Sequence, residues 1–147
     1  MAIDKGEEQA AGEEQAAGQE HVESDDNGLQ LDAEHRAEAR ASLDRIERIL
    51  SDSQLLDHRL RSELVDATRE LAHALEPAFD REAAHARSVT HFAEALAHEV
   101  SKPSPNRDLM EVAIQGLNVA VRPIAEHRPR VLRIVGRLAQ LLANIGI

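Results

Sequence analysis

Two Glu-x-x-His elements, Glu70–His73 and Glu82–His85, are the residues of this chain whose spacing best suits chemistry. A carboxylate and an imidazole three positions apart share one side of a helix. A helical bundle that collects two such pairs and further glutamates can hold two iron ions. Glu38, which lies 32 residues before Glu70, is a candidate for a further carboxylate. The ligands must point into the bundle, however. With Leu71 at the centre of its apolar face, Glu70 lies about 100° away and His73 about 160° away. That turns His73 toward solvent. Glu82 falls near an apolar stripe and His85 at its edge. The pattern resembles a metal site in spacing but not in helical phase, so no metal ligand is assigned.

A second group, Asp80, Arg87, His91, Glu94 and His98, shares the polar side of one helical segment. Glu94 and His98 are four apart and His91 and Glu94 three apart, a spacing that can chelate a divalent ion. The ordinary alternative is a solvated face with local ion pairs. A pH-sensitive contact surface is a third reading, because histidine titrates near neutrality. No nucleophile elbow, phosphate loop, dinucleotide fingerprint or zinc-protease helix is present. With no cysteine, disulfides and cysteine-ligated metals are excluded. No catalytic or cofactor-binding residue is assigned, and no enzymatic activity is expected.

The elements that would position these groups are helical. Aromatics are limited to Phe79 and Phe92, so the core must be built of Leu, Ile, Val and Ala. From Asp32 to Leu50, Ala39, Leu43, Ile46 and Leu50 recur at helical steps, with Asp32 as the expected N-cap. After the link SDSQ, with Asp52 or Ser53 capping, Leu56, Leu60, Leu64, Ala67, Leu71 and Leu75 mark a second apolar face. The two should pair as an antiparallel hairpin. Pro77 breaks the chain. A third helix is expected from about Ala78 to Val100, with Phe79, Ala86, Val89, Ala93, Leu96 and Val100 as its stripe.

Ser104 before Pro105 predicts the start of a fourth helix. It carries Leu109, Met110, Ala113, Ile114, Leu117, Ala120 and Val121, and Val112 and Val119 lie on another side, which predicts burial on two faces. Beyond Pro123 and Pro129, Val131, Ile134, Val135, Leu138, Leu141, Leu142 and Ile145 form the strongest apolar stripe of the chain. One long kinked helix or a helical hairpin would satisfy this pattern equally.

The stretch LAHEVSKPSPNRDLMEVAIQGLNVAV, residues 96–121, resembles the C-terminal module of small bacterial helical proteins in which a Lys-Pro-x-Pro-Asn-Arg-like link joins two apolar helices. Residues 96–147 are the span of the resemblance. It implies an accessory or interaction protein and assigns no functional residue.

Charge is unevenly spread. The chain carries −10, and residues 1–28 hold nine of its 27 acids and one of its 17 bases. That leaves −2 for the rest. The arm repeats a hexapeptide, GEEQAAGEEQAAGQE at 6–20, that is too short and too polar to stack as a solenoid. It is expected to be disordered, as a charged tether or a solubilising tail. Residues 122–147 carry five arginines and one glutamate. Arg130, Arg133 and Arg137 line one flank of the last stripe. They could snorkel over buried apolar surface, meet an acidic protein, or lie on anionic lipid with the stripe inserted. Nucleic acid is not expected, since the body as a whole is not basic. No run is long and apolar enough to span a bilayer and no signal core leads the chain, so a cytoplasmic location is expected.

The expected protein is all-α: a disordered acidic arm (1–28), a three-helix bundle region (29–100) and a C-terminal amphipathic helical region (101–147). Its expected role is non-enzymatic interaction or regulation, with self-association, in bundle or coiled-coil manner, through the C-terminal helices. Arg130, Arg133, Arg137 and the stripe Val131, Ile134, Val135, Leu138, Leu141, Leu142 and Ile145 are the expected contact residues. A homo-oligomer or a helical protein is the expected partner. A peripheral membrane protein and a Glu/His metal-binding bundle are the alternatives.

Overall fold

Ala39, Leu43, Ile46 and Leu50, the apolar positions of the first helix, are all buried. That helix, α1, spans 28–52. The computed structural model describes residues 28–146, and the rest of the acidic arm lies outside them. Residues 28–31 are already helical, so Asp32 is not the N-cap; it sits exposed within the helix. Leu31, Ala33 and Glu34 are good helix formers, and residues 28–34 are exposed.

The second helix, α2, is His58–Leu75. Its N-cap is Asp57, which accepts from the Leu60 amide at 2.8 Å, and not Asp52 or Ser53. The reason is that α1 runs on through Asp52, and Leu56 must reach the core before α2 begins. Arg61 ties the link down by donating to the carbonyls of Ser53 (2.7 Å) and Leu56 (3.0 Å). Leu64, Ala67, Leu71 and Leu75 are buried and Leu60 is half-buried, as their spacing predicts.

Pro77 ends α2 in a 3₁₀ turn, Glu76–Asp80, that buries Ala78 and Phe79. Arg40 lies over the Phe79 ring, 5.2 Å from its centroid. The third helix, α3, is therefore Ala83–Val100 and starts later than Ala78. Its stripe is buried throughout. The fourth, α4, is Arg107–Ala125. Its N-cap is Asn106 rather than Ser104, with the side chain accepting from the Leu109 amide at 3.2 Å. Glu99 explains the shift. Only 7% exposed, it accepts from the Asn106 amide at 2.7 Å and from Lys102 Nζ at 2.8 Å. These bonds hold its carboxyl below the ordinary range, the one from Lys102 most. The link is thus pinned at Asn106, a position where Pro105 has no N–H to offer.

The chain turns back after Ala125, and α5 is Pro129–Gly146. The C-terminal region is a hairpin, not one kinked helix. The Ile124 carbonyl accepts from both His127 (3.2 Å) and Arg128 (2.9 Å), and Pro129 opens α5 at a position where no N–H is needed. Helix α3 packs on α4, α4 on α5, and α5 on α2. Helix α1 joins α2 through Glu47–Arg69 and Arg40–Glu76, and joins α3 through Glu38–Arg87 and Arg45–Glu94. The residue numbers run oppositely in the first two pairs and together in the last two. So α1 is antiparallel to α2 and parallel to α3. Neighbours follow in the closed order α1, α2, α5, α4, α3 and back to α1, around one core of Leu, Ile, Val, Ala and Phe79.

Candidate functional site

The C-terminal stripe faces inward. Val131, Ile134, Val135, Leu138 and Leu142 are buried in the core of the same chain, and Leu141 and Ile145 pack half-buried against it. This stripe, the expected surface for self-association, is already covered by α2 and α4. Arg130, Arg133 and Arg137 are exposed along one flank of it. Arg137 reaches Glu70 at 3.8 Å, while Arg130 and Arg133 have no ion-pair partner among the described residues. They flank a stripe that is already buried. Among the described residues no helix is long and apolar enough to cross a membrane.

The carboxylates and histidines are spread along helix–helix seams. Glu70, His73 and His85 are exposed and Glu82 is half-buried just ahead of α3. Among the described residues no three His, Asp or Glu side chains come together as a metal site. The polar side of α3 forms a ladder with α1 instead. Arg87 pairs with Glu38, His91 lies 3.8 Å from the same carboxylate, and Arg45 bonds Glu94 at 3.0 Å. Arg45 also donates to Ser42 at 3.1 Å, and His98 stands 3.7 Å from Glu94. Burial pushes the Glu94 carboxyl up. The hydrogen bonds from Arg45 and Ser42 and the charges of Arg45 and His98 outweigh it, so the group stays below its ordinary range. The local pairs expected along α3 thus reach across to α1.

The second apolar side of α4 is the feature without a covering element. Val112 and Val119 were expected to be buried, yet they are 61% and 59% exposed, and Leu109 is 53% exposed. Its neighbours α3 and α5 leave only one side of α4 to the core, where Met110, Ala113, Leu117, Val121 and Ile124 point. Beside α3 the outer side opens into a groove of about 590 Å³, lined by Phe92, Val112, Gly116, Val119 and Ala120 with His85 and Ser88 at its rim. Gly116 sets how close α3 and α4 come. A Cβ there would lie 2.6 Å from Phe92 Cζ and nearer still to Cε1 and Cδ1. The Phe92 ring therefore lies on the bare backbone of α4 and forms one wall of the groove. The valines are visible in the sequence as an off-phase pair; that no element among the described residues covers them is not.

Comparison of the chain with protein-family models, with curated proteins and with solved structures returned no match.

Proposed function

We propose that this protein is a non-enzymatic helical interaction module whose working surface is the apolar face of α3 and α4. The observation that carries this reading is the groove, with Val112 and Val119 more than half exposed beside Phe92. Single exposed apolar residues are ordinary, but a contiguous patch with polar flanks marks a contact surface. Glu38, Arg45, Arg87 and Glu94 hold α1 on α3, and Glu99 fixes the α3–α4 link. The expected C-terminal contact surface gives way to this one, because its apolar residues are spent on the core.

Each valine is worth about 1.5–3 kcal/mol when fully buried. At the exposures given above, covering both recovers roughly 2–4 kcal/mol per molecule, which suits a reversible contact. The test is binding of an apolar fluorescent dye, 8-anilinonaphthalene-1-sulfonate, to the native chain and to a Val112→Glu/Val119→Glu variant. Both changes are on solvent, so melting should be unaltered. Dye fluorescence should drop in the variant. Equal fluorescence in the two proteins would sink the reading.

A further inference from the structure

We propose that the occupant of this face is a second copy of the same chain, with the two α4 helices packed antiparallel about a twofold axis that passes between Gln115 and Gly116. This rests on the apolar face of α4 being the working surface. Along the outer side of α4, Leu109, Val112, Gly116, Val119 and Pro123 recur at steps of three, four, three and four. That is the heptad seam of a helix that packs lengthwise against another helix. The residues α4 gives to its own core, Met110, Ala113, Leu117, Val121 and Ile124, lie about 120° around the helix from this seam. One helix thus carries two separate stripes, and the chain satisfies only one.

The seam is nearly symmetric about its midpoint. Leu109 and Pro123 each stand seven residues from Gly116, with Val112 four before it and Val119 three after. In an antiparallel pair Val112 of one copy meets Val119 of the other, and does so twice. Gly116, half-buried, lies beside the axis with the Phe92 ring of its own chain on its backbone, so the two valines rather than the glycine make the contact between copies. An isologous contact of this kind closes on itself and leaves no unpaired seam.

Charge on the flank fits the same arrangement. Asp108, Gln115 and Arg122 form one exposed strip beside the seam, at steps of seven. Running antiparallel, Asp108 of each copy falls opposite Arg122 of the other and Gln115 opposite Gln115. A parallel pair would set this strip beside Ala113 and Ala120 of the other copy, where no opposite charge meets it, so the strip favours the antiparallel direction. Neither Asp108 nor Arg122 has an ion-pair partner among the described residues. An unrelated apolar helix would use the valines equally well, but only a second copy supplies acid and base in the reversed order.

Sedimentation velocity of the full chain over a range of concentrations tests the inference. The expected species is a reversible dimer. The Val112→Glu/Val119→Glu variant should weaken it at least about a hundredfold with unchanged melting. Asp108→Arg sets two arginines together at both ends of the pair and should weaken the dimer about tenfold. Adding Arg122→Asp to Asp108→Arg restores opposite charges and should return most of that loss. A wild-type chain that stays monomeric to its solubility limit overturns the inference. So does a charge-swapped double variant no better than Asp108→Arg alone. A monomer that still binds the dye in a Val112- and Val119-dependent way refutes the second copy and leaves the apolar contact surface standing. A monomer that binds no dye refutes both.

Discussion

Alanine at Gly116 and alanine at Gly136 add the same methyl group to two helices, and the structure predicts opposite results. In a helix interior, alanine is favoured over glycine by about 0.8–1.0 kcal/mol. At Gly136, on the solvent side of α5, an added Cβ meets nothing within 4 Å. The full gain should appear, as stabilisation of about 1 kcal/mol. At Gly116 the methyl lands on the Phe92 ring, which must swing out toward the groove. Overpacking of this kind costs about 1–3 kcal/mol, so the net effect should run from neutral to about 2 kcal/mol destabilising. For a helical domain of this size, 1 kcal/mol corresponds to roughly 3–6 °C in melting temperature. Thermal melts by circular dichroism resolve that difference. The decisive arm is the Phe92→Ala background. There the obstruction is gone, and Gly116→Ala should become stabilising by about the same 1 kcal/mol as Gly136→Ala. A destabilising Gly116→Ala in that background would refute the argument that the ring and not the backbone demands glycine.

Three further outcomes are expected. Leu138→Asp, which places a carboxylate at a fully buried core position, should cost more than about 3 kcal/mol, whereas Gln140→Asp on the exposed side should cost little in urea titration. Glu94→Gln should lower stability near neutral pH by about 0.5–1 kcal/mol. Because the folded Glu94 carboxyl is held below its ordinary value, its contribution is present above the unfolded pKa and fades as pH falls through the folded one. Wild type and Glu94→Gln should therefore converge in stability at acid pH, and a constant gap between them would contradict the Arg45–Glu94 pairing. Glu99→Ala frees the Asn106 amide and Lys102, so it should speed hydrogen exchange at residues 102–107 while leaving the middle of α1 protected; unchanged exchange would show that the link holds without Glu99.

The helices and their inner faces could be read from periodicity, because burial of Leu, Ile and Val at steps of three and four is a local property. Leu64, Leu71, Leu96 and Leu138 sit where their spacing puts them. Helix starts were less readable. Asp32, Ser53 and Ser104 each have the chemistry of a cap, but the true caps Asp57 and Asn106 are selected by contacts from Arg61 and Glu99, residues the local pattern does not weigh. The candidate site was half visible. Val112 and Val119 stood out of phase, and an out-of-phase pair reads as a second buried side unless the number and order of neighbouring helices are known. That the strongest stripe, on α5, packs in the chain's own core is hard to read for the complementary reason: its covering helix, α2, is distant in sequence.

The parallel placement of α1 against α3 bears on the order in which the protein opens. Helices α3, α4 and α5 follow one another as neighbours, so their contacts close short loops at small entropic cost. Helix α1 docks on α3 only after the chain has passed through α2 and the 3₁₀ turn, and several of its cross-links to the bundle are exposed ion pairs. Residues 28–34, at its start, are exposed. In a native-state exchange experiment α1 should form the outermost cooperative unit, opening before the α3–α5 meander and from residue 28 inward. Opening of this kind would free the side of α3 that carries Arg87 and Glu94 while Val112 and Val119 on α4 stay as they were, so the proposed contact surface does not depend on the helix that first lets go.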